Sequence, residues 1–131
     1  MTEDKSEIMA DKLVSLPATQ KYVRHRDIWD LVYLSQEKAV VRSDLVANKV
    51  RDYGIADYET KLEDIIGRLP EIIKGKPFRD EMNRFLPADV IERTLAKDKF
   101  SDFLQSRVGS LLTQVRDELD VDQSDSPSFL M

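Results

Sequence analysis

The chain has 131 residues, 41% hydrophobic and 34% charged, with one histidine and no cysteine, which suits one compact domain with a real core and excludes a disulfide framework or a thiolate metal site. No run of about 18 apolar residues is present to span a bilayer, and the charged opening from Met1 to Glu7 lacks the apolar core of a secretory signal, so a cytoplasmic protein is expected. The net charge of −5 arises after Arg116, where Asp117, Glu118, Asp120, Asp122 and Asp125 face no base; the rest is neutral and shows no basic stripe, so strong non-specific nucleic-acid binding is not expected.

Thr2 is placed to cap a first helix running to about Leu16, with Glu3 and Asp4 in the turn where the helix dipole favours acids. Ile8, Met9, Leu13 and Leu16 form its apolar stripe, and Pro17 is expected to end it. The break to Val23 is short, so a second helix, from about Arg24 to Gln36, folds back on the first. Ile28, Trp29, Leu31, Val32, Tyr33 and Leu34 surround this helix almost completely, which predicts that it is central and that Trp29 is core. Ser43 is the expected N-cap of a third helix carrying Leu45, Val46 and Val50. It closes at Tyr53-Gly54, where glycine suits a left-handed C′ position.

Asp57 is expected to cap a fourth helix with Leu62, Ile65, Ile66 and Leu69, ending at Pro70. Two shorter helices, Pro77 to Phe85 and Pro87 to Ala96, each open with a proline tolerated in the first turn. A last helix from Asp98 to about Leu119 carries the stripe Phe100, Leu104, Val108, Leu111, Val115 and Leu119. Val40-Val41 is too short to make a strand. The pattern predicts an all-α fold: a compact bundle of six or seven helices over residues 1–119, followed by a disordered acidic tail over 120–131 that buries too little apolar surface to order.

Chemistry-bearing residues concentrate early. Lys12 sits at the margin of the first apolar stripe, where a lysine can also snorkel or pair with Glu7 or Asp11. Asp27 and Asp30 share one side of the second helix. An aspartate in so apolar a helix is costly unless paired, so Asp30 requires a partner. The short connection predicts Lys12 near Asp27 or Asp30, an arrangement that fits a structural ion pair as well as a site. Arg24 and Arg26, with Lys21, form a local basic cluster beside a helix N-terminus that could hold a phosphate. His25, alone, fits a solvated or capping role better than a ligand's. Glycine-rich phosphate loops, the G-x-S-x-G elbow and the H-E-x-x-H pair are absent from the sequence.

Asp11-Lys12-Leu13, in the context Ile8-Met9-Ala10, and Arg26-Asp27-Ile28-Trp29-Asp30-Leu31 resemble two consecutive motifs of the AbiEii/AbiGii-type nucleotidyltransferase toxin family. The resemblance is specific at these motifs and loose over the remaining helices. It implies that Lys12 contacts nucleotide phosphates with Arg24 and Arg26, that Asp27 belongs with Lys12 to the catalytic cluster, and that Asp30 supports it. It also implies a nucleoside triphosphate and Mg²⁺ as cofactors, a polymerase-β-like sheet domain in the same or a separate chain, and a cognate antitoxin as partner.

The chain departs from the family pattern in one large respect. A paired-aspartate motif on a strand should precede the lysine motif, and only eleven residues precede Lys12. No metal ligands are therefore assigned here, and the expectation is the helical C-terminal portion of such a toxin, truncated or partial and inactive alone. An uncovered sheet-facing surface would favour self-association. The competing class is a non-enzymatic helical interaction or regulatory module whose Lys/Asp cluster is structural.

Overall fold

Apolar residues at helical spacing recur along almost the whole chain. In a computed structural model, which describes residues 4–128 and the side chains of residues 4–119, they build seven α-helices. These are α1 (Lys5–Ala18), α2 (His25–Gln36), α3 (Ser43–Asp52), α4 (Tyr58–Lys74), α5 (Lys76–Phe85), α6 (Ala88–Arg93) and α7 (Asp98–Ser128). Among the described residues all regular structure is helical. No helix among them is long and apolar enough to cross a membrane. The tail expected over 120–131 lies outside the residues whose side chains are described.

The bundle centres on α1, not on α2. Met9, Ala10, Leu13, Val14 and Leu16 are all buried, and α1 packs against α2, α3 and α4. Across the core, α7 lies against α4, α2 and α3, while α5 closes over α2 and α4. The all-round apolar character of α2 was misleading because aromatic residues tolerate a wet edge. Tyr33 is 55% exposed. Trp29 is only partly buried, its ring 5.9 Å from that of Phe100.

Two prolines expected to stop helices lie inside them. Pro17 falls in the last turn of α1 and Pro70 within α4. A proline in a helix leaves the carbonyl four residues earlier without its amide donor. At Pro17 that carbonyl belongs to Leu13, and the buried Tyr58 hydroxyl donates to it at 2.8 Å. Tertiary structure thus supplies the missing bond. Pro70 is exposed, so solvent can pair the freed Ile66 carbonyl.

At the start of α1 the cap is Asp4, whose side chain accepts from the Ser6 amide at 3.0 Å; Thr2, the expected cap, lies outside the described residues. In α7 the deepest residues are Leu104, Val108, Leu112 and Val115, with Leu111 only partly buried. Positions 111 and 112 differ by about 100° around the helix, and contact with the neighbouring helices selects 112.

Helices α2 and α3 end alike. Ala39 N–H bonds to Leu34 O and Ile55 N–H to Val50 O, each at 3.0 Å, around a left-handed residue at C′. Gly54 fills that position after α3, and Lys38 fills it after α2.

Candidate functional site

Helix periodicity places Lys12 and Ser15 one turn apart on α1, and Asp27 and Asp30 one turn apart on α2. Because α2 folds back on α1, the two pairs meet. The Asp27 side chain is 2% exposed, a burial that is strongly unfavourable for a carboxylate without partners. It has three. Oδ2 accepts from Ser15 Oγ at 2.7 Å and from Arg24 Nε at 2.7 Å, while Oδ1 lies 3.3 Å from Lys12 Nζ. The same ammonium lies 3.1 Å from Asp30 Oδ2. Lys12 therefore bridges both aspartates, and two cations balance two anions.

Electrostatics follow the geometry. Burial alone would lower the Lys12 ammonium, but its bond to Asp30 and the charge of Asp27 hold it above the ordinary lysine value. The hydrogen bond to Asp27 likewise raises the Arg24 guanidinium. Both remain cations at working pH. The other acids of α1 go elsewhere: Lys49 of α3 reaches Asp11 at 3.0 Å and Glu7 at 3.9 Å. Lys12 is left to α2.

Arg26 points away from this cluster, toward α5. Its Nε lies 3.2 Å from Glu81 Oε2 and its guanidinium carbon 4.6 Å from the Phe85 ring centroid. Between Arg24 and Arg26 opens a hollow of about 180 Å³ lined by Tyr22, Val23, Arg24, His25, Arg26, Asp27 and Glu81. Lys12 does not line it. His25 stands edge-on to Phe78, ring centroids 5.8 Å apart. Burial lowers its pKa, opposed by the charge of Glu81. A larger hollow of about 410 Å³ at the α3–α4 junction is lined by Ala47, Val50, Ile55, Asp57, Tyr58, Glu59, Thr60 and Leu119. None of those is a cation, and Asp57 and Glu59 bring negative charge to it.

Of the residues singled out in the sequence, Lys12, Arg24, Asp27 and Asp30 meet in one cluster, and Arg26 borders it through the small hollow. Ser15 and Glu81 were missed. Ser15 lies three residues after Lys12 and so on its face, a signal that was present in the sequence. Glu81 lies 55 positions from Arg26, and nothing local marks it. Among the described residues no three histidine, aspartate or glutamate side chains form a group able to hold a metal.

The family model described as Nucleotidyl transferase AbiEii toxin, Type IV TA system, matches residues 1–113. No curated protein and no solved structure matches the chain.

Proposed function

Because the chain belongs to the AbiEii nucleotidyl transferase toxin family, we propose that it is the helical portion of such a toxin and that its α1–α2 cluster contributes the contacts to nucleotide phosphates. The observation carrying this reading is the convergence of Lys12, Asp27 and Asp30, from two motifs, on one ammonium-centred cluster. Lys12 serves as the phosphate-binding cation. Asp27, held from three directions, fixes that cation in place. Arg24 and Arg26 border the hollow where further phosphate oxygens can be met by forked guanidinium donors.

Nucleotidyl transfer needs carboxylates free to hold divalent ions. Asp27 does not fit that task, since Lys12, Arg24 and Ser15 already occupy both its oxygens, and Asp30, one of whose oxygens is held by Lys12, does not make a pair on its own. The metal-holding pair must come from a sheet domain, in the same polypeptide or a separate one, so these 131 residues alone do not catalyse transfer. A cognate antitoxin is the expected partner of a toxin of this type.

Saturation of Asp27 also favours a second reading, in which the ancestral site has become a structural ion cluster inside a helical interaction module. Incorporation of labelled nucleotide into an RNA pool with Mg²⁺ separates the two. The assay compares the 131-residue chain, the chain joined to a polymerase-β-like sheet domain, and that fusion carrying Lys12→Ala or Asp27→Ala. The first reading predicts no transfer by the chain, transfer by the fusion and a loss of at least about tenfold in each variant. Full activity in both variants leaves the interaction module. Robust transfer by the chain alone overturns the reliance on an outside metal site.

A further inference from the structure

The ammonium on which the phosphate reading depends is already paired. Lys12 spans two carboxylates that are not equivalent. Asp27 is buried, and if Lys12 moved away it would keep Ser15 and Arg24, both at 2.7 Å. Asp30 is 30% exposed at the side chain, and among the described residues no other cation pairs with it. Lys12 itself is 26% exposed and sits on a flexible four-carbon stem. We infer that Asp30 is an internal competitor for the phosphate: at rest its carboxylate occupies the Lys12 ammonium, and an incoming polyphosphate must exchange with it.

This rests on the reading of Lys12 as a phosphate contact, and it sets how tightly the resting site binds. The exchange is feasible on the Asp30 side alone. Displaced from Lys12, the Asp30 carboxylate can turn to water. The buried Asp27 stays satisfied by its remaining two donors, so no uncompensated charge is left inside the bundle. Asp30 thereby tunes the availability of the ammonium. The consequence runs against the usual expectation for a motif carboxylate: neutralising Asp30 should strengthen binding of a polyanion.

The test is titration calorimetry of inorganic tripolyphosphate into the 131-residue chain at low salt, where exposed ion pairs are least screened. Asp30→Asn, near-isosteric and partly exposed, is expected to bind about two- to fivefold tighter than the parent, the span of a partly exposed ion pair. Asp30→Ser should gain similarly. The gain should vanish in Lys12→Gln/Asp30→Asn. It should exceed that of Asp64→Asn, which frees Arg68 from a surface pair elsewhere. Unchanged or weaker binding by Asp30→Asn, with Lys12→Gln weaker than the parent, overturns the competitor role and leaves the phosphate reading standing. Equal binding by Lys12→Gln and the parent removes both, whereas a gain by Asp30→Asn that survives loss of Lys12 overturns the competitor role alone.

Discussion

Tyr58→Phe removes one oxygen and should expose how α1 accommodates its proline. The Tyr58 side chain is buried against α1, and its hydroxyl donates to Leu13 O at 2.8 Å. Burial pushes its pKa up, so it remains a donor throughout the working range. Phenylalanine keeps the ring packing but leaves a buried carbonyl with neither a tyrosine nor a helical amide to pair it. The expected cost is roughly 1–3 kcal/mol. In a Pro17→Ala background the new amide can donate to the same carbonyl, so Tyr58→Phe should cost less there. The coupling between the two substitutions should reach about 1 kcal/mol, within the range for residues sharing a partner. Urea denaturation of the four proteins of this cycle, compared at constant m, measures it. A cost for Tyr58→Phe that is equal in both backgrounds would refute the compensation.

Asp27→Asn should destabilise by roughly 1.5–3 kcal/mol, the range for hydrogen bonds to a charged group, whereas Asp30→Asn, partly exposed, should change stability by less than about 1 kcal/mol; urea midpoints compare them. Leu112→Ala should cost about 2–5 kcal/mol and Leu111→Ala less than half of that, since only Leu112 is fully buried; thermal melts that reverse this order would refute the assignment of the α7 core. Lys38→Gly should stabilise by up to about 1 kcal/mol by relieving a left-handed lysine at the end of α2, read as a raised denaturation midpoint. Burial lowers the His25 pKa below its ordinary 6.5, so the unfolded chain binds its proton more readily. His25 should therefore reduce stability as pH falls below about 6.5 and have no effect above it. Subtracting the pH–stability curve of His25→Gln from that of the parent isolates this slope, and parallel curves would contradict it.

Much of the fold was readable because helix periodicity is local. The stripes of α1, α3 and α4, the Gly54 stop and the proximity of Lys12 to Asp27 and Asp30 all follow from spacing and one short connection. The errors share a cause, since each depended on a residue distant in sequence. Pro17 reads as a stop until Tyr58, 45 positions away in the bond it makes to Leu13, supplies the donor. The apolar girdle of α2 reads as central until Tyr33 is found facing solvent and Trp29 at a margin. Lys38 occupies a position that usually marks itself with glycine, so its turn was invisible. In the cluster, the requirement that Asp30 be paired was legible and the short connection pointed to Lys12, but not that one ammonium bridges both aspartates. Geometry alone sends Glu7 and Asp11 to Lys49 and thereby reserves Lys12 for α2.

Contact between Lys12 and a nucleotide's phosphates can be read from its own side-chain ammonium resonance, in lysine-labelled protein joined to the sheet domain and titrated with ATP. The phosphate assignment predicts that the Lys12 signal shifts progressively to saturation, further than those of the exposed Lys38 and Lys97, and that Lys12→Arg abolishes the assigned signal without abolishing nucleotide binding. A Lys12 resonance that stays fixed while ATP saturates the protein would contradict it.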